Sequence, residues 1–249
     1  KIISLIFTTI FLFSFEVKSQ KKSFYEQEID KKKNIFSKSK EKSTKDDYQY
    51  KSYFYSGLKH KSLSNFDRAI KDFENCIKLN PLEPSPYYEI GKIYFYQEEY
   101  EKSLEYLKKA TELNSKNKWY LEIYAENLFN NSKFWQAEKA FKKLIKQNKK
   151  NEDYYIYLAR LYIYTNNLNG AVKTYNDLEK IKGIHHFTTI QKHKLYLDMQ
   201  EFNLAAKELE ILLEKFPTDP EIYEMLSDCY ILNNDFDKAF KTLKDLSII

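Results

Sequence analysis

The sequence predicts an all-α fold, an array of six two-helix repeats, and three observations predict it. The chain of 249 residues holds only four glycines and five prolines, too few to punctuate a set of strands and hairpins. Tyr, Phe, Leu, Ile, Lys and Glu dominate instead, which suits long amphipathic helices. A period of 34 residues then runs without insertion, with repeats beginning at Tyr50, Pro84, Lys118, Glu152, His186 and Pro220.

Taken in chain order, the first element is an export signal over residues 1–19. A basic start at Lys1 leads into the apolar run from Ile2 to Phe15, and Val17-Lys18-Ser19 offers small residues at the offsets that cleavage before Gln20 requires. The apolar run is shorter than the roughly 20 residues that span a bilayer, so no membrane span is expected after cleavage. Export to the periplasm or the extracellular space follows. If the segment stays uncleaved, it tethers a membrane-anchored assembly factor. Residues 20–47 form a charged leader rich in Lys, Ser and Glu, expected to be disordered because little apolar surface is available to offset the entropy of ordering.

The repeat domain covers residues 48–249, in repeats 50–83, 84–117, 118–151, 152–185, 186–219 and 220–249. The twentieth position of each repeat is small: Ala69, Ser103, Ala137, Ala171, Ala205 and Ala239. So is the eighth in five of six, with Gly57, Gly91, Ala125, Ala159 and Ser227. Two helices crossing closely need small residues there. Large residues fill the seventeenth position (Phe66, Tyr100, Phe134, Leu168, Phe202, Phe236) and the twenty-fourth (Phe73, Leu107, Phe141, Tyr175, Leu209, Leu243). The spacing 17, 20, 24 and 27 traces one face of a helix. Turn-forming runs such as Asn130-Asn131-Ser132 and Thr165-Asn166-Asn167 separate the two helices of a repeat, while Asn80-Pro81 and Phe216-Pro217 close repeats. Repeat five departs from this pattern at Thr189, Lys192 and His193, so its first helix is expected to be shifted or kinked.

This alternation of small and large residues resembles the tetratricopeptide repeat (TPR) family over about four fifths of the chain. The resemblance implies a right-handed superhelical solenoid of antiparallel helix pairs whose first helices line a concave groove. Arrays of that family commonly finish with an extra solvating helix, whereas only Leu246 to Ile249 follow the last core positions here. An apolar end face is therefore expected, left for further chain or for self-association with a second copy.

In the family, positions two, five, six, nine, twelve and thirteen tend to face the groove. These positions supply the candidate partner-binding residues Phe54, Tyr88, Lys92, Phe95, Tyr96, Trp119, Glu122, Glu126, Phe129, Ile156, Arg160, Ile163 and Tyr164. Such a lining implies a protein or peptide segment with apolar anchors. Against this stands the reading that many of these aromatics simply fill between neighbouring repeats. One subgroup of the family clamps a chaperone's C-terminal carboxylate with Lys and Asn, and the matching residues Phe54, Leu58, Glu89, Trp119 and Ile123 cannot form that clamp.

Charge argues against nucleic acid. Of the net +5, residues 1–19 contribute +1 and residues 20–47 contribute +3, which leaves the repeats at about +1. No catalytic constellation, cofactor motif or metal-ligand spacing is legible, so no enzyme, cofactor or metal is expected. The group His185, His186 and His193 reads as solvated loop, His60 as a packed core residue, and Cys76 and Cys229 as separate buried thiols. A glycan stacked on Tyr and Trp is the alternative ligand class.

Overall fold

The computed structural model describes residue 31 and residues 45–248. The expected export segment lies outside the described residues, as does the charged leader apart from residues 31 and 45–47. From residue 45 onward the described residues form twelve helices and no strand. These are α1 (residues 45–62), α2 (Phe66–Leu79), α3 (Pro84–Tyr96), α4 (Tyr100–Leu113), α5 (Lys118–Asn130), α6 (Phe134–Gln147), α7 (Glu152–Tyr164), α8 (Leu168–Lys182), α9 (His186–Asp198), α10 (Phe202–Lys215), α11 (Pro220–Leu232) and α12 (Phe236–Leu246). Each 34-residue repeat thus supplies one helix pair. The chain divides into two compact units, Lys1–Pro86 and Tyr87–Ile249.

The two small positions meet each other. All twelve residues at positions eight and twenty are buried. A Cβ added to Gly57 would come within 2.7 Å of Phe73, and one added to Gly91 within 2.7 Å of Leu107, so the bulk of position twenty-four is accommodated by the absence of a side chain at position eight. Where one of the small positions is polar, it bonds the carbonyl of the other. Ser103 Oγ donates to Gly91 O at 2.7 Å, Ser227 Oγ to Ala239 O at 3.5 Å, and His193 Nδ1 lies 3.3 Å from Ala205 O.

The turn within each pair is the same six times. Position fifteen has positive φ in every repeat, between 55° and 61°, at Ser64, Glu98, Ser132, Asn166, Gln200 and Asn234. The amide of position sixteen reaches back to the carbonyl of position eleven, as from Glu99 N to Tyr94 O and Lys133 N to Leu128 O. Position fifteen bonds position twelve, as from Ser132 N to Phe129 O. That bond pair is a Schellman cap, built here without glycine. The following turns are also periodic: Asn117, Asn151 and Asp219 cap α5, α7 and α11 by accepting a bond from the amide two residues on.

In the unit Lys1–Pro86, Ala69, Phe73 and Cys76 are fully buried on α2, and Phe54 of α1 packs edge-on to Phe73 with ring centroids 5.7 Å apart. His60, read as a packed core residue, is half-buried and held by Asp72 at 2.8 Å. In the unit Tyr87–Ile249 two clusters of buried apolar residues lie between Leu121 and Leu195 and between Ala205 and Ala239, with Tyr196 packed against both, and Ile90, Ile93, Leu107 and Ala110 are buried besides.

Repeat five corrects the expectation of a shifted or kinked first helix. α9 is an unbroken helix of 13 residues, as are α3, α5, α7 and α11. Its polar residues are absorbed by partners from both flanking helices. Lys192, only 4% exposed, places Nζ 2.6 Å from Glu179 of α8 and 2.7 Å from Glu208 of α10, and also donates to Asn176. Thr188 donates to Glu179 at 2.6 Å. Burial works to lower the Lys192 pKa, but the ion pairs with Glu179 and Glu208 outweigh it and hold the ammonium above its ordinary value. The irregularity sits instead in the preceding link, where α8 runs to 15 residues and ends on Gly183 at φ 87°.

The three neighbouring histidines do not form one solvated loop either. His193 is buried beside Ala205 O and 3.7 Å from the Cys229 thiol, and burial lowers its pKa below 6.5. His186 is exposed and lies 3.8 Å from Asp219. Both cysteines are free and buried. Burial pushes Cys76 up to about 12 and Cys229 up to about 11, so neither is a thiolate near neutral pH.

Candidate partner-binding face

The first helices carry the candidate residues, and in the unit Tyr87–Ile249 these come from α3, α5 and α7. Helical geometry brings residues three and four apart onto one face, so Glu122, Glu126 and Phe129 line up on α5, and Ile156, Arg160, Ile163 and Tyr164 on α7. Between these two helices and α6 lies a depression of about 180 Å³ lined by Glu126, Phe129, Asn130, Phe141, Tyr157 and Arg160.

Its floor is aromatic. Phe141 stacks with Tyr157 at 5.8 Å, and Phe129, Phe134 and Tyr164 form a three-ring cluster with centroids 5.2 to 5.9 Å apart. Its wall is charged. Burial raises the Glu126 carboxyl above its ordinary range, the nearby Glu122 raises it further, and Arg160 partly offsets both. Glu122 in turn accepts a hydrogen bond from the Tyr154 hydroxyl, which ties α5 to α7.

Elsewhere on this face the candidates divide by exposure. Trp119 (58% exposed), Tyr96, Ile163 and Tyr164 are open to solvent, with Lys118 Nζ 4.5 Å from the Trp119 ring centroid. Tyr88 is half-buried against Tyr120 at 4.6 Å and has Lys92 over its ring at 5.2 Å. Phe95 packs against Tyr96 and Tyr100. Ile156 is half-buried. Phe54 belongs to the other compact unit, where it is a half-buried neighbour of Tyr50 and Phe73. Filling between helices therefore describes Phe54, Tyr88 and Phe129, while Trp119, Tyr96 and Tyr164 project.

Three lining residues were missing from the sequence reading. Tyr157 and Asn130 stand at positions six and thirteen of the same frame, so the period itself marks them. Phe141 stands at a core position of the frame and also lines the depression. Among the described residues, no group of three or more His, Cys, Asp or Glu is placed to hold a metal ion, and no helix is long and apolar enough to cross a membrane.

Comparison with known proteins agrees with this architecture. Tetratricopeptide repeat family models match residues 50–81, 84–117 and 194–246. A human relative, tetratricopeptide repeat protein 6, is 29% identical over 65 residues, which is 26% of this chain and 12% of that protein's length. Among solved structures, a tetratricopeptide repeat protein from Parabacteroides merdae aligns over 80% of this chain and 79% of its own, with TM-score 0.57 and 16% identity. The Naa15/Naa10 complex bound to HypK-THB aligns over 78% of this chain and 31% of that one, with TM-score 0.60 and 18% identity. YrrB, described as a TPR protein with an unusual peptide-binding site, aligns over 70% and 90%, with TM-score 0.50 and 16% identity. With the 34-residue period, the paired helices and the family matches in agreement, the chain belongs to the tetratricopeptide repeat family and is an all-α TPR solenoid.

Proposed function

We infer that this chain is a non-catalytic scaffold that holds a partner polypeptide against its first-helix face, with apolar side chains of the partner as anchors. The observation that carries the reading is the depression between Glu126, Phe129, Tyr157 and Arg160, with exposed Trp119 on α5 and exposed Ile163 and Tyr164 on α7. Solvent-facing aromatics on the same helices as the half-buried Glu126 and the exposed Arg160 are the kind of surface on which a few anchors dominate binding. Peptide binding stated of YrrB, on the same fold, accords with it.

Capture of the partner from the native cell envelope tests the reading. Each anchor is worth roughly 1.5–3 kcal/mol, so Trp119→Ala combined with Arg160→Ala should weaken capture by about tenfold or more while the helical signal is kept. Tyr88 is a poorer choice, because it stacks on Tyr120 and its loss would also disturb packing. Unchanged capture, or retention on glycan alone, contradicts the proposal.

A second contact rests on the last helix pair. Ile231, Leu232, Phe236, Phe240, Leu243 and Ile248 are all exposed, and Leu243 is 46% exposed where Leu209 at the same position is 0%. Such a face favours association with a second copy. Light scattering should show a dimer that Phe240→Glu dissolves; a monomer at high concentration contradicts it. Export is proposed from residues 1–19 alone, and sequencing the N-terminus of the mature protein checks it, with Gln20 as the expected first residue.

A further inference from the structure

Positive charge in the repeats is not spread evenly. Residues 134–150 carry six lysines and a single acid, Glu138, a net of +5 in a repeat domain whose total is only about +1. Glu138 is already engaged by Lys142 and by the Tyr162 hydroxyl at 2.8 Å. Lys143 and Lys146, and Lys173 on the neighbouring α8, have no hydrogen-bond or acidic partner among the described residues.

These lysines surround two adjoining depressions that share Lys142 and Lys146. One, of about 440 Å³, lies along α6 beside Trp135, which is 69% exposed with Lys139 Nζ 5.5 Å from its ring centroid. The other, of about 320 Å³, lies where α6, α7 and α8 meet. Its floor is apolar, made by Ile145, Tyr155, Leu158 and Tyr162, and its rim carries Lys142, Lys146 and Lys173. The acid at that rim, Asp177, is answered by Lys180 at 2.8 Å.

Gly170 helps to leave this furrow open. The nineteenth position holds Arg68, Lys102, Gln136, Leu204 and Lys238 in the other repeats, and each would project where Gly170 has no side chain. The same glycine donates its amide to the capping Asn167, whose side chain a Cβ would meet at 2.9 Å.

We propose that the furrow bounded by α6 and α8 is a second docking site, separate from the first-helix face, for an acidic polypeptide segment carrying an apolar side chain. Charge complementarity selects the acids, because Lys146 and Lys173 stand on the rim without partners and Lys142 adds a third cation beside them. The floor selects the apolar residue. A flat anionic bilayer would meet Trp135 and the lysines yet leave the floor of the furrow unfilled, and a nucleic-acid backbone would make no use of Leu158 and Ile145.

The test uses the full chain and a fluorescein-labelled peptide of Glu and Asp residues with one central Phe. Binding should weaken with salt, as expected of surface charges. Lys146→Glu combined with Lys173→Glu should weaken it by roughly tenfold or more. Both lysines are exposed, so the helical signal should not change. Trp119→Ala with Arg160→Ala should leave this affinity unaltered, which separates failure here from failure of the first-helix face. No binding by the wild type, no effect of the charge reversals, or equal binding of a peptide with Ser in place of Phe would overturn the proposal. So would tighter binding of phosphatidylglycerol vesicles or an oligothymidine through the same lysines.

Discussion

Six side chains at the fifteenth position hold left-handed backbone, and only two of them are Asn, the residue that tolerates it best. For an ordinary L-residue that conformation costs roughly 1–2 kcal/mol, while glycine gives back about 0.4–1 kcal/mol through a freer unfolded chain. Gln200→Gly should therefore raise stability by about 0.5–1 kcal/mol in urea unfolding, and Asn166→Gly by less. A loss of stability in Gln200→Gly would show that its side chain contributes something the backbone account omits. Nothing in the identities Ser, Glu, Ser, Asn, Gln and Asn marks a shared conformation, so this feature was illegible residue by residue. Its spacing is the repeat period, and the cap is fixed by the paired bonds to positions eleven and twelve. The small residues at positions eight and twenty were legible from the outset, because close approach of two helices leaves few alternatives.

At the scale of the element, α9 shows what a pattern of residue types leaves out. Thr189, Lys192 and His193 break the apolar frame, yet the helix is intact because Glu179 and Glu208 reach Lys192 from α8 and α10. Those partners are 13 and 16 residues away, outside any local window. Breaking such a buried network by removing one charge is costly, and Lys192→Met should destabilise the fold by about 3–5 kcal/mol. Adding Glu179→Gln and Glu208→Gln should recover a large part of that loss, since the two carboxylates would no longer be stranded. The pH dependence has a definite sign. The folded pKa of Lys192 lies above the unfolded value of 10.5, so its contribution is full below that pH and is lost as the pH rises through the folded value. Thermal unfolding of the wild type and of the triple variant, followed from neutral to strongly alkaline pH, checks both statements. A single variant as stable as the wild type would contradict them.

For the whole molecule, the repeat array and its first-helix face were legible because both depend on a period, and a period survives in sequence. The α6–α8 furrow was not, because it joins residues of three helices and its charge disappears in a near-neutral total. The same frame that placed Glu126, Phe129 and Arg160 also holds Tyr157 and Asn130, and their convergence with Phe141 is visible only once α5, α6 and α7 are packed. The proposed function puts a partner polypeptide at this convergence. A photo-crosslinking amino acid placed at residue 157 of the full chain, in its native cells, tests that placement, with residue 105 on the exposed side of α4 as reference. A discrete protein adduct is expected from residue 157 and none from residue 105. Adducts of equal yield from both positions, or no protein adduct at 157, would contradict it.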